Sequence, residues 1–168
     1  MDVGDRILAT LAAEFSDFRD LEDITRIVLR LLLAALLGAM LGYEREHAGK
    51  AAGLRTHMLV SLGSALFVLA ALQSGIEPGD LSRVIQGVVA GIGFLCAGAI
   101  LKSAQDDQVR GLTTAAGLWM TSAIGMTAGL GREAIAVFSA LLALGVLMSE
   151  KPVRRLMGKD EGPRKTDD

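Results

Sequence analysis

Formal charges in this chain fall in blocks, and long runs without any charge separate them. A soluble helix needs polar residues along one face, so this segregation leaves few folds open. Thr56 to Ile76, Val84 to Leu101 and Gly111 to Gly131 hold no Asp, Glu, Lys or Arg, and Ile27 to Tyr43 holds only Arg30. A helix needs about 20 apolar residues, with about 17–25 tolerated, to cross about 30 Å of hydrocarbon. Ala134 to Ser149 is shorter, at 16 residues. It reaches that length only if Arg132, Glu133 and Lys151 at its ends snorkel. The expected fold is an all-α membrane protein, a compact bundle of five transmembrane helices.

Three segments follow from the same pattern. Residues 1–23 contain seven acidic residues, with Ile7, Leu8, Leu11, Phe15, Phe18 and Leu21 at spacings of three or four. That predicts an acidic amphipathic helix, packed on the protein or solvated, and not a cleaved leader. Residues 24–149 form the five-span membrane domain, and residues 150–168 a basic tail without fixed structure. With five spans, eleven of the 17 Lys and Arg residues lie on the side of the tail and five on the other. The positive-inside bias then puts the N-terminus outside the inner membrane of a bacterium and the C-terminus in the cytoplasm.

Glycine supplies the packing signal. Gly38 with Gly42, Gly87 with Gly91, and Gly125 with Gly129 are spaced by four, and Gly98 lies further along the third span. Between lipid-embedded helices attraction comes from close approach, so these pairs predict a core of spans one, three and four, with a homo-oligomer allowed through any outward groove. Gly53-Leu54-Arg55-Thr56 returns as Gly111-Leu112-Thr113-Thr114, and Arg26 as Arg83. The spans therefore read as two parallel hairpins plus a fifth helix.

Polar chemistry gathers at one mouth. Glu44, Arg45, Glu46, Lys50, Gly53, Arg55 and Thr56 lie between the first two spans, and Arg110, Gly111, Thr113 and Thr114 open the fourth. Thr56 and Thr113 or Thr114 are expected to cap two helix starts, whose positive dipole ends beside Arg55 and Arg110 favour an anion or a partner's carboxylate. A hard cation is the competing ligand, because Mg2+ needs only one or two carboxylates. Glu44 and Glu46, two apart, face different sides of a helix and do not share an ion there. At the outer face, Arg30 is expected to orient the first span, either snorkelling outward or pairing with Asp23, Glu77 or Asp80, and Arg83 stands nearby.

Several functions are excluded. A net charge of −2 offers no field for nucleic acid. Cys96 is the single cysteine, and His47 and His57 have no third ligand, so no zinc site is expected. No nucleophile–base pair, phosphate loop or dinucleotide fingerprint occurs, and the chain reads as a non-enzyme.

Gly42-Tyr43-Glu44-Arg45-Glu46, Lys50, Ala52-Gly53-Leu54-Arg55-Thr56 and Leu59-Val60 resemble the signature of the MgtC/SapB family. Gly91-Ile92-Gly93-Phe94-Leu95, Ala97-Gly98 and Arg110-Gly111-Leu112-Thr113-Thr114-Ala115-Ala116 are similar to its second signature. Cys96 departs from it, standing where the family pattern has glycine. The resemblance implies the short form of the family, without a C-terminal soluble domain. It implies an inner-membrane protein of low-magnesium adaptation that modulates other membrane proteins, or alternatively a magnesium transporter or channel. Beyond Mg2+ it implies no cofactor. Its expected partners are the lipid bilayer, other membrane proteins or a second copy of the chain.

Overall fold

A computed structural model describes residues 2–14, 20–103 and 111–149, and every element in it is a helix. The order is α1 (Val3–Glu14), α2 (Leu21–His47), α3 (Leu54–Gln73), α4 (Pro78–Ser103), α5 (Leu112–Gly129) and α6 (Glu133–Met148). Asp20 starts α2 by accepting a hydrogen bond from the Glu22 N–H at 3.2 Å. Pro78 sits at the first position of α4, where its missing N–H costs nothing. Gly111 (φ +90°) precedes α5, and Gly131 (φ +72°) makes the turn into α6. A side chain at Gly131 would also run into the Arg30 guanidinium.

Close backbone contact builds the core. A Cβ at Gly38 would lie 2.6 Å from the His57 carbonyl oxygen, and one at Gly42 would lie 2.7 Å from the Leu54 Cα. Those pairs make α2 and α3 antiparallel. Gly117 faces the His57 ring, Gly125 touches the Ser61 carbonyl and Gly129 the Ala65 carbonyl, so α3 and α5 run parallel. Ala34, Leu37, Leu41, Ala65, Ile124, Ala128, Ala136 and Ala140 fill the space among α2, α3, α5 and α6. By contrast, a Cβ added at Gly87, Gly91 or Gly98 on α4 would meet no neighbouring heavy atom within 4 Å, so α4 packs at the edge. Its Cys96 thiol reaches the Ala115 carbonyl at 3.2 Å. The tight glycine core is thus that of α2, α3 and α5, with α3 in the place that glycine spacing had predicted for α4.

The expectation of a bundle of five transmembrane helices is not met. Six helices form, and among the described residues three are both long and apolar enough to cross a membrane: Leu21–His47, Leu54–Gln73 and Gly79–Ile100. Absence of charge is not the same as apolarity, and α5 shows the difference. Its 18 residues include Thr113, Thr114, Thr121, Ser122, Thr127 and three glycines, and it is largely enclosed by the others. The 16 residues of α6 are apolar but rise only about 24 Å. Two arginines of α2 hold this short helix. Arg30 pairs with Glu133 at its start (3.5 Å), and Arg45 donates to the Leu147 carbonyl at its end (3.4 Å). The N-terminal α1 buries no residue and packs against no other described helix.

A candidate site at the charged end of the bundle

The end of α2, the start of α3 and the end of α6 meet at one end of the molecule. Arg45 is fully buried there, with its Nε on the Glu44 carboxylate and its Nη2 on Leu147. A cation beneath the last carbonyls of α6 also answers that helix's negative dipole end. Glu46 reaches the start of α3 instead. Its Oε2 accepts the Leu54 N–H at 2.8 Å and lies against Gly53. The cap of α3 is therefore a carboxylate from the preceding helix. Thr56 is exposed and gives no cap, and neither Thr113 nor Thr114 caps α5. An anion at the α3 start would meet Glu46 already in place.

That cap yields a prediction. Glu46→Ala is expected to lower stability by about 1 kcal/mol, the usual worth of a lost N-cap, whereas Glu46→Gln keeps an acceptor and most of it. Thermal unfolding in detergent compares the two; equal losses would remove the capping role.

The other expected residues are spread out. Lys50 is half-buried beyond the end of α2, while Arg55 and Thr113 are exposed and Thr114 is buried in the α5 interface. Arg110 lies outside the described residues, as do Asp106 and Asp107. At the far end Arg83 pairs with Asp80 at 3.6 Å, both on the surface. Arg30 does not take Asp23, Glu77 or Asp80; it reaches Glu133 and the Gly129 carbonyl (3.4 Å) instead, because the turn at Gly131 brings both onto its guanidinium.

Behind the charged end runs a feature not foreseen from the sequence. His57, Ser61, Ser64, Thr114, Thr121 and Ser122 are all buried on helices α3 and α5. The His57 Nδ1–H donates to the Gly53 carbonyl at 3.0 Å, which leaves Nε2 as an acceptor in the neutral ring. Ser64 Oγ donates to the Val60 carbonyl at 2.7 Å, so the Ser122 hydroxyl donates to Ser64 across a 2.7 Å contact. Thr121 returns its proton to the Gly117 carbonyl (2.8 Å). His57 Nε2 and Ser61 Oγ, one turn apart, have no partner among the described residues. A buried polar atom left so costs about 1–3 kcal/mol. The signal was present: positions 57, 61 and 64 share one face of a helix, opposite the Gly38–Gly42 face of α2. Among the described residues no three His, Cys, Asp or Glu side chains gather to hold a metal.

These features define a class: a multi-pass, all-helical membrane protein with a charged end and a polar seam inside its core. Its sequence places it further. The chain belongs to the MgtC family, whose sequence model matches residues 31–156. That family is non-enzymatic. The chain is 40% identical over 144 residues to the protein of Escherichia coli K12 called putative magnesium transporter YhiD, covering 79% of this chain and 65% of that one. It is 42% identical over 141 residues to protein SrpB of Synechococcus elongatus, covering 76% of each. To protein MgtC of Salmonella typhimurium it is 41% identical over 129 residues, covering 76% of this chain and 54% of that one. The chain thus spans less than two thirds of the length of the Escherichia and Salmonella proteins. No solved structure matches it.

Proposed function

We propose that the chain takes part in magnesium homeostasis at the inner membrane by moving the divalent cation along the seam between α3 and α5. The observation that carries this reading is the row of buried oxygens and one imidazole at His57, Ser61, Ser64, Thr121 and Ser122. Polar groups inside membrane helices are expensive and tend to mark pathways. Mg2+ keeps much of its water and asks little of the protein, so hydroxyls are a suitable lining. The name of the Escherichia coli relative, a putative magnesium transporter, supports the same direction.

The charged end is the cytoplasmic one in this proposal. Arg45, Lys50 and Arg55 lie there, and the end of α4 with the segments that follow α4 and α6 adds eight more Lys and Arg residues. Basic loops stay inside.

A second reading, modulation of other membrane proteins, is favoured by a different observation. The seam carries no carboxylate among the described residues, and Gly125 and Gly129 bring backbones into contact across it. Magnesium entry into proteoliposomes, read with an enclosed indicator, separates the two. Transport requires saturable uptake by the wild type that falls at least about tenfold in folded Ser122→Leu. Folded wild-type protein that passes no magnesium leaves the modulator.

A further inference from the structure

A groove of about 920 Å³ runs along the outside of the bundle between α2 and α6. It is divided by chemistry along its length. Leu36, Ala39, Met40 and Leu144 wall one part, and Tyr43, Glu44, His47 and Lys50 rim the other, at the charged end. From Leu36 to Tyr43 the helix rises about 10 Å, so the apolar part has a definite depth. Leu36 is 66% exposed and Tyr43 63% exposed on a membrane-crossing helix, which places this wall against lipid tails.

From this division we infer that the α2–α6 groove binds an anionic phospholipid, its acyl chain against Leu36, Met40 and Leu144 and its phosphate at His47 and Lys50. The charge at the rim fits that occupant. The Glu44 carboxylate is engaged by buried Arg45, so it does not repel a phosphate as a lone anion would. His47 is held in place by stacking on Tyr43, with ring centroids 5.6 Å apart, and Lys50 follows within one turn of the helix end. Imidazole, phenol and ammonium donors at headgroup depth, above an apolar trough, match a lipid with a charged head and not a soluble anion. Such a site uses the outer face of α2 and is independent of cation movement through the seam.

Native mass spectrometry of the full chain, released from detergent with added lipid, tests it. Phosphatidylglycerol is expected to remain bound at one molecule per chain, at least about tenfold better than diacylglycerol with the same tails, since a charge-assisted contact is worth about that factor. The pair H47Q and K50Q is expected to reduce retention of phosphatidylglycerol about tenfold. Should that pair fail to fold, the comparison of the two lipids on the wild type decides alone. Equal retention of diacylglycerol, or unchanged retention in a folded double variant, would overturn the inference. So would displacement of the lipid by millimolar inorganic phosphate, which would assign the rim to a free anion.

Discussion

Gly125→Leu is expected to leave no folded protein, while Gly87→Leu is expected to leave the bundle intact. The two glycines have the same spacing motif around them, so the contrast isolates what each one faces. At Gly125 a Cβ would collide with the Ser61 carbonyl and lie 2.8 Å from the Ser61 Cα. Both are backbone atoms of a packed parallel helix, with no side chain to swing away. Overpacking costs about 1–3 kcal/mol where side chains can adjust, and more where they cannot. Even Gly125→Ala should fall in the upper part of that range. At Gly87 nothing lies within 4 Å of the added carbon, and alanine there should recover about 1 kcal/mol of helix propensity. Monodisperse yield and unfolding temperature in detergent report the difference; similar behaviour of the two positions would contradict the α3–α5 contact.

Arg45→Met is expected to cost about 3 kcal/mol, the lower part of the range for removing one member of a buried ion pair. The guanidinium is fully buried and serves two groups at once, the Glu44 carboxylate and the Leu147 carbonyl that ends α6. Methionine fills the volume but leaves both without their donor. The Glu44 side chain retains 19% exposure and takes up some water, which keeps the cost below the maximum. Arg45→Lys should rescue little, because one ammonium on a flexible stem does not reproduce the fixed fork. Adding Glu44→Gln to Arg45→Met should return part of the loss, since the orphaned charge is then gone. An unfolding temperature unchanged by Arg45→Met would show that the clamp on α6 does not hold.

Much of this arrangement is legible in the sequence, and the failures have common causes. Helix positions follow from uncharged runs, and the cluster Glu44-Arg45-Glu46 announces the polar end. The number of crossings does not follow, because α5 is uncharged yet rich in threonine, serine and glycine. Glycine spacing marks surfaces able to pack closely without saying which of them meet a neighbour; Gly38, Gly42, Gly125 and Gly129 do, and Gly87, Gly91 and Gly98 do not. For Arg30 the sequence suggests an acidic partner among Asp23, Glu77 and Asp80, yet the partner comes 103 positions later, through a turn at Gly131. Local rules assign capping to Thr56, whereas Glu46 reaches over a loop to do it. The polar seam escapes notice because serines and histidine in an uncharged run look like dilution until the facing helix is known.

The central claim is that α3 and α5 run side by side and in parallel, with Ser64 against Ser122 at the heart of the seam. Oxidative cross-linking tests it in the native membrane, using Ser64→Cys with Ser122→Cys in a Cys96→Ala chain. Their hydroxyl oxygens are 2.7 Å apart, so the cysteine pair should close into an intramolecular disulfide rapidly and in high yield. A control pair with the second cysteine at Leu141, exposed on α6, which does not pack on α3, in place of Ser122 measures the background of chance encounters. A Ser64–Ser122 pair that cross-links no better than that control would contradict the arrangement of the core and the seam built on it.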